Sequence, residues 1–463
     1  MIEQPEFAKH VENINKKILE PTCGEGIFLT EILKRRIKDI TDEEQIFTAL
    51  SNLYGIEIQH DNVTAARENL FDVIKDKVTD TARAREIIDA NLIEGDFLLY
   101  PAVKIKDWQT DETFSLDEIV FQRGFGKVDE NFVIIGNPPY QEDPHAVTGQ
   151  ARPIYHKFID TAKKFNPDCL LMIIPSRWFS GGMGLDDFRK NMLQDKRIMR
   201  IVDYANAKDC FPDQDISGGV CYFIWSKDYH GDCKFENVFN DKSDIMTRPL
   251  DEFPVLVRYN RAISIIRKVI SFKEKLLTDI ISSLMPFGLN SNYRGTKNKI
   301  SDEQLTLYAS NSITYINGNE IKLGFDYVDK FKLMLSKIAT EHACEPGSDG
   351  KFRVFSSSIR VLKPNEVCTH SYFLIGKFNK KLPAENLLKY LKTRFVRFLV
   401  LMSVSSINLS KLVFIFVPLQ NFCADSDIDW TKSVAKIDAQ LYKKYGLSYE
   451  EVDFIESKVR AMD

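Results

Sequence analysis

Between residues 17 and 58 the chain alternates apolar runs with one polar turn. Lys17-Ile18-Leu19-Glu20 is a short apolar run ending in an acid, Pro21-Thr22-Cys23-Gly24-Glu25-Gly26 is a turn, and Ile27-Phe28-Leu29 opens an amphipathic stretch that continues at Ile32, Leu33 and Ile37. This order predicts strand, glycine turn and helix. Leu53-Tyr54-Gly55-Ile56-Glu57-Ile58 predicts a second strand with an acid at its end. Leu92-Ile93-Glu94-Gly95-Asp96-Phe97-Leu98 predicts a third, and Phe132-Val133-Ile134-Ile135-Gly136 a fourth. Residues 1–250 keep alternating strand-like and helix-like runs, which predicts an α/β layer with a mostly parallel sheet. Glu20, Glu57 and Asp96 then fall at the carboxyl edge, where ligands of open α/β sheets bind. The turn lacks the third glycine of a dinucleotide fingerprint.

The fourth strand delivers Asn137-Pro138-Pro139-Tyr140 to the same edge. An exocyclic amine conjugated to a ring is a poor nucleophile until acceptors hold its two hydrogens and favour a pyramidal nitrogen. The Asn137 side-chain oxygen can supply one acceptor and the Pro138 carbonyl another. Consecutive prolines fix φ and hold those acceptors in one geometry, as preorganised electrostatic catalysis requires. Tyr140 offers a π-face on which a flat base can stack. Asn-Pro-Pro is also an ordinary turn at a strand end, so its meaning comes from its neighbours.

In this order, the glycine turn, the two acids and Asn-Pro-Pro-Tyr resemble the S-adenosylmethionine-dependent DNA adenine-N6 methyltransferases of type II restriction-modification systems, with the gamma-type motif order. The resemblance implies a Rossmann-like class I methyltransferase domain with a mostly parallel sheet over residues 1–270, and an α+β target-recognition domain over 271–463. It implies that Glu20, Thr22, Cys23, Gly24 and Gly26 face the methionine part of S-adenosylmethionine. Glu57 would hold the ribose, Ile58 and Phe97 flank the cofactor adenine, and Asp96 read its amino group. Asn137, Pro138, Pro139 and Tyr140 carry over as the catalytic set. Phe211, in Cys210-Phe211-Pro212, resembles the second aromatic that sandwiches a flipped base with Tyr140. Ile154 to Ile159, Leu170 to Arg177 and Gly218 to Trp225 resemble the helix and strands that follow. Gln4-Pro5-Glu6-Phe7 resembles a shortened form of the family's amino-terminal segment, which closes over the cofactor.

Hydrophobic residues at 44% and charged residues at 28% of 463 describe a globular chain with room for two domains. No apolar run reaches the roughly 18 residues of a membrane span, and Met1-Ile2-Glu3-Gln4 is not a signal peptide, so the expectation is a cytoplasmic chain acting as a monomer. The eight cysteines form no CxxC pair, and no metal is expected. The net charge of −4 divides unevenly, since residues 271–463 hold 27 Lys+Arg against 21 Asp+Glu, or +6, leaving −10 for residues 1–270. Lys351, Arg353, Arg360, Lys380, Lys381, Lys392, Arg394 and Arg397 concentrate in this second part, with Phe355, Tyr372 and Phe395 among them. A local basic surface of this kind suits double-stranded DNA; it also suits the solvated faces of ordinary helices. Asn290, Asn292, Arg294 and Lys297, beside Pro286-Phe287-Gly288-Leu289, are the expected DNA contacts.

Arg258 to Leu277 predicts a helix linking the two domains, with the boundary near residue 275. Ala384 to about Val400 predicts one helix, Ser448 to Val459 another, and Trp430 a packing residue. Residues 99–130 predict an insertion with a loop at 122–126, and residues 142–153 a polar loop beside the site. The function implied is sequence-specific methyl transfer to adenine N6 in duplex DNA, with any restriction endonuclease a separate chain or segment. The alternatives are a protein glutamine-N5 methyltransferase, whose amide poses the same amine problem, and a DNA-binding specificity module with a decayed cofactor site.

Overall fold

The computed structural model describes residues 1–108, 111–116, 132–142, 152–182, 184–214, 216–239, 242–310, 312–337, 347, 349–355, 359–404 and 409–462. The expected loop at 122–126 and the middle of that at 142–153 lie outside the described residues. The chain divides into two compact units, Met1–Trp178 with Gly182–Pro254, and Phe179–Gly181 with Val255–Asp463.

In the first unit, nine strands form one sheet: β1 Lys17–Glu20, β2 Leu53–Glu57, β3 Leu92–Glu94, β6 Phe132–Gly136, β7 Cys169–Pro175, β8 Ile198–Tyr204, β9 Val220–Ser226, β10 Cys233–Phe239 and β11 Lys242–Arg248. A small hairpin, β4 Lys104–Asp107 with β5 Glu112–Ser115, stands apart from it within the expected insertion. The sheet order is β11-β10-β8-β9-β7-β6-β1-β2-β3. From β3 to β7 every pairing is parallel; β9 enters antiparallel between β7 and β8. Residues of β1, β2, β6 and β7 are buried on both faces. Such strands read as continuous apolar runs, which is why they were visible in the sequence.

The chain leaves β1 for β2 and β3 on one side, then returns to place β6 on the other side of β1. This reversal is the switch point at which open α/β sheets form a crevice. Helices α1 Pro5–Glu12, α2 Ile27–Arg36, α3 Glu43–Ser51, α4 His60–Ile74, α5 Thr81–Asn91, α6 Tyr155–Lys164 and α7 Asp186–Gln194 belong to this unit. Gly26, at φ +77°, turns the chain into α2, and a Cβ there would meet Ala66 Cβ at 3.1 Å.

Arg36, at the end of α2 and 4% exposed, ties this half of the sheet together. Its guanidinium donates to the carbonyls of Val11 at 3.0 Å, Ala49 at 3.2 Å, His10 at 3.4 Å and Lys16 at 2.6 Å. One side chain thus binds the ends of α1 and α3 to the residue before β1. Burial pushes the guanidinium pKa down to about 9. The amino-terminal segment is fixed separately, with Gln4 Nε2 donating to the Tyr222 hydroxyl at 2.7 Å and Glu6 pairing with Arg200 at 3.1 Å.

In the second unit, α8 spans Asn260–Ser271. It packs on a carboxyl-terminal helix, Tyr449–Lys458, through Lys268 and Glu451 at 2.6 Å. The division between units therefore falls at residues 254 and 255, ahead of a helix expected to link them. Two three-stranded sheets follow: β12 Leu305–Ala309 with β13 Ser312–Ile316 and β16 Glu366–Cys368, and β14 Phe331–Ser336 with β15 Arg360–Leu362 and β17 Tyr372–Phe378. The single helix expected from Ala384 to about Val400 is two, α9 Lys381–Lys392 and α10 Arg394–Leu401. Thr393 adopts extended backbone between them and its hydroxyl accepts from the Val396 N–H at 3.2 Å. Asp438, reaching from α11 Val434–Lys444, accepts from the N–H groups of Arg394 at 3.0 Å and Phe395 at 2.9 Å. Local capping plus a distant carboxylate outweighs continuous helical propensity here. The Tyr449–Lys458 helix, α12, starts at Ser448 with a capping box. Trp430 packs against Tyr390 and Phe422.

Removing Arg36 strands several buried carbonyls, so Arg36→Ala should cost roughly 3 kcal/mol or more of unfolding free energy in the first unit. Its exposed neighbour Arg35, paired with Glu3 and Glu31, should be nearly silent in the same denaturation assay. In the second unit, burial raises the Asp438 carboxyl from 3.8 to about 6. A raised folded pKa means stability that is complete below the unfolded value and lost as pH rises through the folded one. Wild type should therefore lose roughly 2 kcal/mol between pH 4 and 7 relative to Asp438→Asn. Parallel pH–stability curves for the two proteins would refute this.

Candidate active site

The crevice beside β1 contains a cavity of about 420 Å³. Four loops build it, each leaving the carboxyl end of a strand. From β1 come Pro21, Thr22 and Gly24; from β2, Glu57, Ile58, Gln59 and Asn62; from β3, Gly95, Asp96, Phe97 and Leu98; and from β6, Asn137 and Pro139, with Ile154 and Phe158 closing the wall. Of the residues singled out in the sequence, the fold brings Thr22, Gly24, Glu57, Ile58, Asp96, Phe97, Asn137 and Pro139 to this one space.

The loops are joined by specific bonds. Glu57 accepts from the Gly24 N–H and the Gln59 N–H, each at 2.9 Å, so one carboxylate ties the glycine turn to the start of α4. Cys23 N donates to Ile56 O at 2.9 Å, alongside the same strands. The Thr22 hydroxyl donates to the Asn137 carbonyl at 3.4 Å, linking the turn to the Asn-Pro-Pro segment. Asp96 turns its own loop by accepting from the Leu98 N–H at 2.8 Å.

The walls differ in character. Ile58, 64% exposed, offers an open apolar face. Phe97 is buried, and its ring stacks on Phe158 at 6.1 Å and Phe165 at 5.5 Å. Asn137 and Pro139 are exposed, while Pro138 is buried between them.

Glu20, expected to face a ligand, is 2% exposed and lies immediately before the lining residues Pro21 and Thr22. Burial pushes its carboxyl well above the usual carboxylate range, and the Glu57 carboxylate adds to this, against one backbone hydrogen bond from Leu29. Its Oε2 has no hydrogen-bond partner. Cys23 is buried with its thiol pKa raised by desolvation, and its role here is close packing, since a Cβ on Gly55 would approach its sulfur to 2.9 Å. Gly26 likewise serves the turn and does not line the cavity.

Tyr140 lines a second cavity of about 370 Å³, together with Gln141, Tyr155 and Arg177. Phe211 is half-buried against the core of the unit and lines neither space. Past Tyr140 the chain pairs back on itself, with Gln141 bridging Pro153 and the Glu142 N–H donating to Arg152 O at 2.9 Å.

Gln59, Asn62, Leu98 and Phe158 were missed in the sequence. Gln59 and Asn62 follow Glu57 within one helical turn, and that adjacency was the available signal. Phe158 had none, because it arrives on α6, far along the chain.

In the second unit, Phe287 and Leu289 are buried, which leaves Asn290, Asn292, Arg294 and Lys297 exposed after them. Arg294 donates to the carbonyls of Ser291 at 2.7 Å and Tyr293 at 2.8 Å. The basic window is partly structural. Arg397 is 1% exposed and donates to the carbonyls of Lys392, Thr393 and Arg353, so it is not available to phosphate. Phe355 and Phe395, read as interleaved aromatics, are core residues.

Residues 51–211 match the family model of the Eco57I restriction-modification methylase. A stretch of 128 residues, 27% of this chain, is 36% identical to an uncharacterised adenine-specific methylase of Mycoplasma pneumoniae and spans 30% of that protein's length. The type IIL restriction-modification enzyme MmeI, solved in complex with DNA, superposes over 97% of this chain and 75% of its own, with a TM-score of 0.50 and 10% identity. That last likeness is one of fold. Over residues 51–211 the chain is thus similar to the Eco57I restriction-modification methylases, and these residues lie within a Rossmann-like α/β sheet.

Proposed function

We propose that this protein transfers a methyl group from S-adenosylmethionine to the N6 amino group of an adenine flipped out of duplex DNA, as the modification activity of a restriction-modification system. The observation that carries the reading is that Asn137 and Pro139 share one cavity with Gly24, Glu57 and Asp96. Acceptors for a substrate amine thus stand beside carboxylates and an apolar wall suited to an adenosine.

The residues fit that cofactor. Asp96 can accept from an adenine amino group, Ile58 and Phe97 bound a flat ring, and Glu57 keeps lone pairs for ribose hydroxyls beyond its two backbone bonds. Glu20 Oε2, buried without a partner, is a latent counter-charge for the methionine ammonium. When bound, S-adenosylmethionine supplies an electrophilic methyl group on a sulfonium. The Asn137 side-chain oxygen and the Pro138 carbonyl hold the two amine hydrogens, which turns the nitrogen lone pair out of the ring. Tyr140 stacks on the base, and Phe211 is its proposed second face. Attack of that nitrogen on the methyl carbon would break the carbon–sulfur bond, leave S-adenosylhomocysteine as the neutral thioether, and pass the surplus proton from the nitrogen to solvent. We assign the second unit to target recognition, with Asn290, Asn292, Arg294 and Lys297 as DNA contacts.

The direct test incubates the protein with methyl-labelled S-adenosylmethionine and genomic DNA from an unmethylated host, then identifies the labelled nucleoside and its sequence context. Label in N6-methyladenine at one short motif is expected; binding of cofactor and DNA without any methyladenine would refute the reading. Asn137→Ala should lower kcat by at least about 10²-fold with cofactor affinity retained, whereas Asp96→Ala should weaken cofactor binding by roughly tenfold or more. Equal cofactor loss in both would contradict the assigned roles. Because burial pushes the ligand-free Glu20 carboxyl well above the usual carboxylate range and a bound ammonium favours the charged form, cofactor binding should favour proton release and tighten as pH rises. Glu20→Gln should abolish that dependence in calorimetry across buffers of different ionisation enthalpy.

A further inference from the structure

The second cavity is walled differently from the first. Pro153, Pro175 and Ile216 give it apolar sides, Tyr140 and Tyr155 aromatic ones, and Gln141 and Ser217 neutral polar groups. Arg177 also lines it and is already engaged in an interaction of its own. Tyr155 is 1% exposed, and the hydroxyls of Tyr140 and Tyr155 are buried without hydrogen-bond partners. Gln141 differs from both tyrosines, since it is exposed at the cavity wall. A flat, neutral, polar ring suits such a space, with Gln141 placed to meet its edge.

Gln141 is carried on a firmly held segment. Before it, the Tyr140 carbonyl accepts from the Ile154 N–H at 3.3 Å; after it, the Glu142 N–H donates to Arg152 O at 2.9 Å. Gln141 itself forms an antiparallel bridge with Pro153. The Glu142 carboxylate also accepts from Lys157 Nζ on α6 at 2.8 Å. Ile154 leads directly into α6, whose first residue, Tyr155, packs edge-on against Phe188 at 6.0 Å. The backbone at residue 141 is thus fixed on both sides, next to the ring of Tyr140. A carboxamide so mounted presents its donor and acceptor at low entropic cost.

The chemistry of the bases gives that amide a use. Holding an amine does not by itself separate adenine from cytosine, because both carry an exocyclic amino group beside a ring-nitrogen acceptor. Adenine N7, on the other flank of the amino group, has no counterpart in cytosine. With Asn137 and Pro138 taking both amine hydrogens, N7 is the acceptor that identifies adenine, and reading it requires a donor. A glutamine carboxamide supplies one through Nε2. Resting on the methyltransferase reading above, we infer that Gln141 Nε2 donates to N7 of the target adenine, so that the second cavity selects adenine over cytosine. Tyr140 holds the face of the base and Gln141 reads its edge, which makes Gln141 a specificity-determining residue.

The test uses duplexes carrying the motif found by labelling, with adenine or 7-deazaadenine at the target position. The analogue replaces N7 by a C–H and keeps the amino group. Wild type should show a KM about fivefold higher for 7-deazaadenine. Gln141→Ala should show a similar rise on adenine, with kcat little changed and no further loss on 7-deazaadenine, as expected where both changes remove one contact. Gln141→Glu, whose carboxylate only accepts, should bind adenine less well than the alanine variant and lose that disadvantage on 7-deazaadenine. It serves as the test if the alanine variant does not fold. Ser217→Ala should keep the wild-type difference between the two bases. Indifference of wild type to 7-deazaadenine, equal losses in wild type and Gln141→Ala, or disappearance of the difference in Ser217→Ala would each overturn the proposal. A wild-type protein that transfers no methyl to any DNA would instead refute the methyltransferase reading beneath it.

Discussion

The first unit depends on the parallel pairing of the four-residue strand β1 with a neighbour on each side. Ile18, Leu19 and Glu20 pair with Leu53, Tyr54 and Gly55, while Lys17, Ile18 and Leu19 pair with Phe132, Val133 and Ile134. These few backbone contacts bring the glycine turn and the Asn-Pro-Pro segment, over a hundred residues apart, to one crevice. A one-residue slip would send every β1 side chain to the opposite face. Tight packing guards against it: a Cβ on Gly55 would come within 2.7 Å of Leu92 Cδ2, and one on Gly136 within 3.3 Å of Met172 Sδ. Arg36 secures the entry to β1 by taking the Lys16 carbonyl among its acceptors.

Gathering Glu20, Glu57 and Asp96 at one sheet edge places like charges close together, and the protein manages each differently. Glu57 receives two backbone N–H groups and Asp96 receives one. Glu20 is denied water, and burial pushes its carboxyl well above the usual carboxylate range. A polar edge stabilised in this way is rigid without being neutral, so it favours a guest with a positive centre and hydroxyl donors.

In the second unit, charge again serves structure before it serves surface. Arg397 and Lys332 are buried on backbone carbonyls, and Asp438 caps α10 from another helix. Counting basic residues along the sequence therefore overstates the surface available to an anion. The exposed stretch from Asn290 to Lys297 is different, because the buried Phe287 and Leu289 anchor its start and Thr296 pairs with Tyr315 on β13 at 2.8 Å and 2.9 Å.

Strand positions were legible because buried parallel strands are apolar throughout, and the lining residues adjacent to them were legible because loops at strand ends are short. By itself the sequence determined the strand–turn–helix start, the acids at the sheet edge, the Asn-Pro-Pro-Tyr segment and the packing role of Trp430. Tertiary structure alone decided that Glu20 would be buried with its carboxyl pushed above the usual carboxylate range, that Tyr140 would face a different cavity from Asn137, and that Phe158 would back Phe97. It also broke the expected 384–400 helix at Thr393 and turned Arg397 inward. Each of these depends on a partner remote in sequence, whether a carboxylate, a ring or a carbonyl. Local pattern sets which face a residue can occupy, and only the assembled neighbours set whether water reaches it.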